Sequence, residues 1–332
     1  MNTEVKNIII FIQNRDFFGA LLNHIPLLYS LRIQYHTAKI IIFSPFTRAY
    51  SFYEWGLADE IVIQKQANIK LWKVLRQIKA DLIITLRPSS MLLNALIGFS
   101  GAKKRIGYRS FAGRWLLDGM VERNTDVYRA LNYLNLLKPV NVVPRIPDYF
   151  VSCAKDSNLI IDGSRCHFCI ISGGGAGDFK KWGIENYIKL CQEIIKIIPN
   201  AHFYFILGEQ EKPYLSYIRD STVSVLSTLL VNDSIANCAK AILWSLVTIG
   251  NDCGPAHIAQ LSGVNFVGIY SNESGSVEKT IAEWFYMRSN SRYICAATNE
   301  DIKAIPVDKV FEKVEEFITV PEKNIDPNIS EQ

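Results

Sequence analysis

Short runs of almost purely apolar residues, separated by longer amphipathic segments, constrain the fold of this chain most. In the first half these runs are NIIIFIQ, KIIIFS, EIVIQ, DLIITLR and KRIGY, with helical segments near 20–35, 48–55, 69–79 and 89–99. A strand that is apolar on both faces must be covered on both faces, as in a parallel sheet flanked by helices. The second half repeats the alternation with HFCIIS, AHFYFILG, VSVLS, SLVTIG and NFVGIYS. The pattern predicts α/β structure in both halves.

The length of the chain and one proline-rich stretch indicate where it divides. At 332 residues the chain exceeds the size at which a single hydrophobic core usually keeps growing, so two domains are expected. The stretch PVNVVPRIP (139–147) interrupts the alternation with three prolines, which predicts a hinge between about 140 and 165. We therefore predict an N-terminal domain over residues 1–155, a C-terminal domain over 156–320 and a polar tail over 321–332.

Composition argues against several classes of protein. The most apolar stretches, MLLNALIGF and AKAILWSLVTIG, are too short to cross a bilayer, and the N-terminus lacks the basic region and cleavage site of a signal peptide. Seven cysteines are scattered along the chain. Cys166 and Cys169 lie on a predicted buried strand, which favours core thiols over disulfides or a metal site. These features predict a cytoplasmic protein.

One strand-to-helix junction has the features of an anion-binding site. In SLVTIGNDCGPAHIAQLS (245–262) a buried strand runs into a polar turn and then into a helix. Pro255 suits the first helical position, so the free backbone N–H groups and the positive helix end face whatever occupies the turn. The polar and small residues near the turn are Asn251, Asp252, Cys253, Gly254 and His257. For a turn in isolation, an ordinary connection with a capping Asp is the commoner explanation.

A second junction of the same kind shifts the balance toward a ligand site. In HFCIISGGGAGDFKKWG (167–183) an apolar strand opens into a glycine-rich turn with lysines beside it, and this combination lets backbone amides and positive charge approach a ligand. Asp178 stands where a dinucleotide-binding GxGxxG motif needs its last glycine, and no Gly-Lys-Ser/Thr makes the segment a P-loop. Two such turns at the carboxyl ends of strands predict a diphosphate-bearing ligand.

These segments resemble glycosyltransferase family 9, the ADP-heptose:lipopolysaccharide heptosyltransferases. DCGPAH (252–257) matches the family's pattern of Asp, a small residue, Gly, two residues and His, and KKW (180–182) matches its Lys-x-Trp mark. GAKKRIGYRS (101–110) resembles the family's Gly-Ala-x-x-Arg-Ile-Gly-Tyr segment, and GALLNHIPLLYSLR (19–32) resembles its glycine loop and first helix. The resemblance spans nearly the whole chain. It implies an α/β fold of the GT-B type, with two Rossmann-like parallel-sheet domains facing a central cleft.

The resemblance also implies where substrates bind. The C-terminal domain is expected to hold a nucleotide-sugar donor and the N-terminal domain an acceptor, with closure excluding water. The donor-binding residues implied are Ser172, Gly173, Gly174, Lys180, Trp182, Glu209, Asn251, Asp252, Cys253, Gly254 and His257. Helix-terminal amides near Gly254, helped by Lys180 as a catalytic residue, are expected to stabilise the departing diphosphate. The chain has no DxD motif, so we expect neither a metal ion nor another cofactor.

One departure from the family concerns the general base, because an inverting transfer needs a group that takes the proton of the acceptor hydroxyl. The family's first loop carries Gly-Asp, whereas here Gly19 is followed by Ala20. Asp16, earlier in the same loop, is the candidate catalytic base, although a solvated loop carboxylate or helix cap explains it equally well. The loop SNESG (271–275) also replaces the family's Gly-x-Thr-Asp-Pro, which leaves the sugar open.

Basic residues of the N-terminal half indicate the acceptor. Lys103, Lys104, Arg105, Arg109 and Arg114 cluster there, in a chain whose net charge is +4. A solvated basic loop would give the same pattern. We predict that the protein lies peripherally at an anionic membrane surface, the inner face of the inner membrane, and binds a lipopolysaccharide-type glycolipid. The predicted acceptor-binding residues are Gly19, Arg87, Arg105 and Arg109. Nucleic acid is not expected, because the excess charge is small and no recognised binding module appears.

Together these features predict an inverting, metal-independent glycosyltransferase that transfers heptose from ADP-heptose to a lipopolysaccharide inner-core-type acceptor. Two alternatives stay open. SNESG leaves room for a family member with another nucleotide sugar or acceptor, and Ala20 leaves room for a non-catalytic homologue that only binds the donor. An oxidoreductase on a similar architecture is disfavoured by the broken GxGxxG pattern.

Overall fold

The structure, a computed structural model, describes residues 5–13, 16–87, 90–175, 177–272 and 276–318. They belong to two compact units. The N-terminal unit contains the chain up to Ser152 together with Glu278–Tyr286, and the C-terminal unit contains Cys153–Val277 and the chain from Met287 onward. The polar tail predicted over 321–332 lies outside the described residues.

The N-terminal unit is built on a parallel sheet. Its elements are β1 (Asn7–Phe11), α1 (Phe18–Leu22), α2 (Ile25–Gln34), β2 (Lys39–Ser44), α3 (Ser51–Glu54), β3 (Glu60–Ile63), α4 (Ile69–Ile78), β4 (Leu82–Thr85), α5 (Met91–Gly98), β5 (Lys104–Tyr108), α6 (Gly113–Leu116), β6 (Gly119–Val121) and α7 (Arg129–Asn135), followed by α8 (Asp148–Lys155), which runs into the C-terminal unit. The six strands lie in the order β3-β2-β1-β4-β5-β6 and pair in parallel. The apolar residues of β1 and β2 are buried in its core, because helices cover both faces of such a sheet.

The C-terminal unit repeats this architecture. Its elements are β7 (Cys166–Ile171), α9 (Ile184–Ile197), β8 (Ala201–Leu207), α10 (Tyr214–Arg219), β9 (Ser227–Val231), α11 (Ile235–Leu243), β10 (Val247–Asn251), α12 (Gly254–Ser262), β11 (Phe266–Tyr270), α13 (Val277–Trp284), β12 (Ser291–Cys295) and α14 (Val307–Ile318), where α13 lies mostly in the N-terminal unit. The strand order is β12-β11-β10-β7-β8-β9, again all parallel. Each sheet therefore has the doubly wound Rossmann order, which confirms the predicted fold class.

The element boundaries differ from the sequence predictions in places that lack strong periodicity. The helical segments near 20–35 and 48–55 are each divided into two short helical pieces. The sequence did not predict β6, β12 or the helices α6, α7, α8 and α13. It also placed a strand at VSVLS (223–227), whereas β9 begins at Ser227. Short elements contribute few residues to any periodic pattern, so tertiary packing decides them. Among the described residues, we find no helix whose length and apolar character would let it cross a membrane.

One segment joins the unit to which the sequence did not assign it. The sequence placed residues 156–320 in the C-terminal domain, whereas Glu278–Tyr286 packs in the N-terminal unit. The rings of Tyr128 and Tyr286 stack with centroids 5.2 Å apart. The guanidinium carbon of Arg129 lies 4.4 Å from the ring centroid of Trp284, and Arg129 also forms an ion pair with Glu283. These contacts join residues far apart in sequence, so no local pattern could reveal them.

Candidate functional site

The two glycine-bearing junctions lie side by side in the C-terminal unit. Strands β7 and β10 are neighbours in parallel register, with Ile171 opposite Gly250, so both junctions leave the same edge of the sheet. The order of the strands reverses between β7 and β10. This switch point is where doubly wound sheets bind ligands. Gly175 has a φ of +59°, and a Cβ placed on it would lie 3.8 Å from Cβ of Cys253.

Glycines, which have no side chain, let the first junction fold tightly. A Cβ on Gly174 would lie 2.5 Å from Cγ of Lys181 and 2.6 Å from the carbonyl oxygen of Gly177. Backbone cannot yield at such distances, so the turn requires glycine at this position. On the neighbouring strand, a Cβ on Gly250 would lie 2.7 Å from Cβ of Ile171. The glycines therefore let the two turns pack closely against each other.

The second junction presents the positive end of a helix. Helix α12 begins at Gly254 with Pro255 in its first turn, and the side chain of its N-cap residue, Cys253, makes no capping hydrogen bond. The first N–H groups of the helix therefore have no side-chain partner from the cap. Burial raises the pKa of the Cys253 thiol to about 12, which leaves it neutral and unsuited to nucleophilic chemistry.

An ion pair links the two junctions. Nζ of Lys180 lies 2.5 Å from Oδ2 of Asp252, and the lysine is half-buried while the aspartate is nearly buried. This contact fixes the ammonium group of the first junction beside the start of α12. Ser172, at the end of β7, is buried, and within the described residues its Oγ has no hydrogen-bond partner. The arrangement places the ammonium group of Lys180 and the hydroxyl of Ser172 beside the two turns.

Asn251 holds the two junctions in place through hydrogen bonds within the unit. Its Nδ2 donates to the carbonyl oxygen of Ser172 at 3.0 Å. Its Oδ1 accepts from the Tyr187 hydroxyl at 2.9 Å and from the backbone N–H of Trp182 at 3.3 Å. The sequence predicted a donor-binding role for this residue. In the structure its three hydrogen bonds are internal and the side chain is fully buried, so it acts on the site by positioning the two junctions.

Trp182 is a core residue of the C-terminal unit. Its side chain is fully buried, and its indole N–H donates to the carbonyl oxygen of Ile305 at 2.8 Å. Its ring meets that of Tyr187 edge-on with centroids 5.0 Å apart. The full burial of the ring favours a core anchor, the commoner role of a tryptophan at the start of a helix, over stacking on a nucleotide. The Lys-x-Trp spacing marks where α9 is anchored.

Glu209 and His257 were also predicted to bind the donor. The carboxylate of Glu209 is exposed and bonds to Lys212 at 2.7 Å and to Asn232 at 2.5 Å. His257 is buried within α12, with Nδ1 3.5 Å from Nε2 of Gln260. Of the loop that replaces Gly-x-Thr-Asp-Pro, Asn272 donates to Thr298 Oγ1 at 3.1 Å, while residues 273–275 lie outside the described part of the chain.

A buried ion pair that the sequence analysis missed supports the glycine turn. Nζ of Lys181 lies 3.0 Å from Asp178 Oδ1 and 3.1 Å from Glu211 Oε1, and Lys181 and Glu211 are both buried. Burial opposes the charge on Lys181, but the hydrogen bonds that its ammonium group donates to these two carboxylates outweigh burial and raise the pKa of Lys181. Glu211 also accepts from the backbone N–H of Gly208 at 3.1 Å. The lysine pair Lys180–Lys181 and the two nearby glutamates Glu209 and Glu211 were the signal, but the sequence could not show which member of each pair is buried.

In the N-terminal unit, the predicted acceptor residues have different surroundings. Nε of Arg87 donates to the carbonyl oxygen of Ile12 at 2.9 Å, just beyond the ends of β1 and β4, and burial lowers the pKa of Arg87 to about 10. Arg105 is partly exposed and forms two hydrogen bonds of 2.7 Å with Asp118, and its acceptor contact stays a prediction. Arg109 is exposed and pairs with Glu122 at 2.6 Å.

The first loop of the N-terminal unit departs from the sequence prediction at Gly19. Gly19 lies inside α1 rather than in a loop, and Ala20 is buried. Asp16 is about half-exposed and pairs with Nε of Arg48 at 3.2 Å. The chain therefore presents no carboxylate at the position of Ala20, and Asp16 is the nearest acid in sequence.

A pocket in the N-terminal unit was not predicted from sequence. It is lined by Gln13, Tyr108, Arg123, Thr125, Arg129, Asn132, Tyr133 and Glu283. The buried guanidinium of Arg129 donates to Oε1 of Gln13 at 2.8 Å, and Glu283 reaches the pocket from the returning segment Glu278–Tyr286. Next to it, burial lowers the pKa of His24 to about 4, with a further contribution from Arg129. The neutral ring stacks on Tyr133 with centroids 4.6 Å apart, as expected for a packing residue.

Comparisons with known proteins agree with this architecture. The model of glycosyltransferase family 9 (heptosyltransferase) matches residues 68–298. Two Escherichia coli structures have a TM-score of 0.65 and cover 94% of this chain: ADP-heptose lps heptosyltransferase II, at 16% identity over 98% of its own length, and heptosyltransferase WaaC with ADP, at 14% identity over 99%. A UDP-GlcNAc 2-epimerase from Methanocaldococcus jannaschii has a TM-score of 0.57 at 13% identity, covering 96% of this chain and 94% of its own. No curated protein matches the chain by sequence.

Proposed function

Because the chain belongs to glycosyltransferase family 9, we propose that it transfers heptose from ADP-heptose to a lipopolysaccharide inner-core-type acceptor, with inversion and without a metal ion. Family membership makes the protein a glycosyltransferase. The choice of donor follows two relatives of the same fold, one described as an ADP-heptose heptosyltransferase and one solved with ADP. We place the reaction in the cytoplasm, at the inner face of the inner membrane, where such a donor and a glycolipid acceptor would meet.

The observation that supports this proposal most is the pair of glycine-bearing turns at the switch point between β7 and β10. A nucleoside diphosphate needs several backbone donors and positive charge within a few ångströms, and this edge offers both. The ammonium group of Lys180 and the start of α12 provide the positive charge, and the glycines allow a close approach. We therefore assign donor binding to Ser172, Gly173, Gly174, Lys180, Asp252 and Gly254.

In the proposed reaction an acceptor hydroxyl attacks the anomeric carbon from the face opposite the diphosphate. The new C–O bond forms as the bond to the β-phosphate oxygen breaks, and ADP leaves with the electron pair. The charge that grows on the diphosphate is stabilised by Lys180 and by the amides of α12, which are oriented before the reaction starts. The proton of the hydroxyl passes to a base, for which we propose Asp16 because it is the half-exposed carboxylate of the first loop.

Titration calorimetry with ADP-heptose and ADP, followed by turnover with a lipopolysaccharide core acceptor, tests the proposal. We expect both ligands to bind and Lys180→Ala to weaken binding about tenfold or more, since a charge-assisted contact is lost. Lys212→Ala is the matched control, because Lys212 is an exposed lysine that pairs with Glu209 outside the turns. Unchanged affinity in Lys180→Ala would remove Lys180 from the diphosphate site.

The same measurements separate the alternatives. Donor binding without product identifies the non-catalytic homologue suggested by Ala20. Tighter binding of another nucleotide sugar identifies a family member with a different donor. Binding of NADH in place of any nucleotide sugar would contradict the proposal altogether.

A further inference from the structure

The positive charge of this chain is concentrated in one segment. Residues 61–117 carry eleven lysines and arginines and one acidic residue, Asp81, whereas the rest of the chain carries 25 basic and 31 acidic residues. Asp81 itself is almost buried, pairs with Lys103 at 2.6 Å and accepts hydrogen bonds from the backbone N–H groups of Lys6 and Asn7. The small overall charge of +4 therefore hides a strongly basic region.

The same segment exposes large apolar side chains on adjacent elements. The exposed fractions of Trp115, Phe111, Met91, Phe99 and Leu92 are 85%, 82%, 73%, 66% and 54%. We call these five residues the apolar surface. They lie on α5, α6 and the residues next to them. Isolated exposed apolar residues are ordinary, but several on neighbouring elements mark a contact surface.

Contacts within the unit hold this surface together. A Cβ on Gly98, at the end of α5, would lie 2.6 Å from Cδ2 of Leu116 on α6. Nδ2 of Asn94 on α5 donates to Oγ of Ser110 at 3.2 Å. Nε1 of Trp72 on α4 donates to the carbonyl oxygen of Phe99 at 2.9 Å. Helices α4, α5 and α6 therefore present one packed region, and the basic residues of α4 belong to it.

Lysines and arginines of this region are free to meet an anionic partner. Lys70, Lys73 and Arg114 are exposed, and within the described residues none of them forms an ion pair. Arg114 stands directly before Trp115, so charge and apolar area alternate along α6. Basic side chains bind phospholipid headgroups, while aromatic and aliphatic side chains enter the boundary of the acyl chains.

We propose that the region formed by α4, α5 and α6 docks the protein on an anionic phospholipid bilayer, with the apolar surface inserted and the basic residues on the headgroups. A nucleic acid would satisfy the charge but would leave Met91 and Leu92 uncovered. The inference rests on the proposed function in one respect, namely that the acceptor is a glycolipid. The binding of vesicles itself requires neither the donor nor turnover.

Sedimentation of the full chain with lipid vesicles tests this inference. The probes are neutral phosphatidylcholine vesicles and vesicles containing one quarter phosphatidylglycerol, each at low and high salt. We expect the protein to bind the anionic vesicles about tenfold more tightly than the neutral ones. Its affinity for the anionic vesicles should fall at high salt. The double variant Phe111→Ser/Trp115→Ser should bind the anionic vesicles about tenfold or more weakly, because two inserted side chains are lost.

The matched control is Val225→Ser/Trp244→Ser, which removes two exposed apolar side chains of the C-terminal unit. It should bind vesicles like the unaltered protein, and both double variants should keep the original melting temperature. Equal binding by the two double variants, or no binding by the unaltered protein, would overturn the inference. So would an oligonucleotide that binds as tightly as the vesicles and competes with them.

Turnover of a lipid-free core oligosaccharide distinguishes this inference from the proposed function. We expect Phe111→Ser/Trp115→Ser to process it at the rate of the unaltered protein. If vesicle binding behaves as expected but no protein turns the oligosaccharide over, the catalytic proposal fails and the docking surface stands.

Discussion

Two neighbouring lysines, Lys180 and Lys181, show how one residue type serves two tasks. Lys180 is half-buried and pairs with Asp252 across the two turns, so an incoming diphosphate can compete for its ammonium group. Lys181 is buried between Asp178 and Glu211, and these partners hold its charge inside the unit. A buried ion pair resists the loss of either partner, because the other charge is then left without compensation. We therefore assign ligand binding to Lys180 and support of the turn to Lys181.

The missing aspartate of the first loop gives a prediction for Asp16. Asp16→Asn removes the carboxylate while keeping its shape, and we expect kcat to fall about 100-fold or more if Asp16 takes the proton. Steady-state kinetics with ADP-heptose and a lipopolysaccharide core acceptor measure this fall in kcat.

Glu60→Gln is the control for Asp16→Asn. Glu60 is a carboxylate of the same unit with a similar exposed fraction, 44% against 47%, and it also forms an ion pair, with Lys39 at 2.6 Å. Its replacement should leave kcat unchanged. Full activity in Asp16→Asn would show that the base comes from elsewhere, while loss of activity in both variants would point to folding.

At the scale of elements, the site depends on how strands and helices meet rather than on catalytic side chains. Parallel pairing of β7 with β10 sets the two junctions side by side. Asn251 then fastens them through Ser172, Trp182 and Tyr187. Because these bonds are internal, the turns are held in position before any ligand arrives. Such preorganisation lowers the cost of ordering the loop on binding.

The glycine turn gives a prediction at this scale. In Gly174→Ala the new methyl group would collide with Lys181 Cγ and the Gly177 carbonyl, so the turn must shift. We expect ADP to bind about tenfold more weakly, as measured by calorimetry. Gly163→Ala is the control, since a Cβ there meets nothing within 4 Å. Equal affinities of the two variants would show that the shape of this turn does not matter for the nucleotide.

At the scale of the whole molecule, two features concern the N-terminal unit: the distribution of charge and the packing of a distant segment. Positive charge gathers in residues 61–117, although the net charge is small. The segment Glu278–Tyr286 follows the strands of the C-terminal unit in sequence but packs in the N-terminal unit. There Arg129 bonds to Gln13, Glu283 and the ring of Trp284, which come from distant parts of the sequence. One buried guanidinium therefore joins the returning segment to its unit.

Arg129→Met tests this role through the free energy of unfolding in urea. Methionine fills much of the same space but makes neither the ion pair nor the hydrogen bond, so we expect a loss of about 3 kcal/mol. Arg76→Met removes an exposed guanidinium 5.6 Å from the ring of Trp72, and it should cost less than about 1 kcal/mol. Similar losses in the two variants would contradict a special role for Arg129.

The sequence by itself determined the two parallel α/β sheets and the positions of both glycine-bearing turns. Apolar strands and turn glycines act locally, so period and composition expose them. Only the tertiary structure decided that Trp182 and Asn251 are internal, that Lys181 rather than Lys180 is buried, and that Glu283 reaches Arg129. Each of these depends on which distant segments pack together, and contacts between distant segments do not produce a local periodic pattern in the sequence.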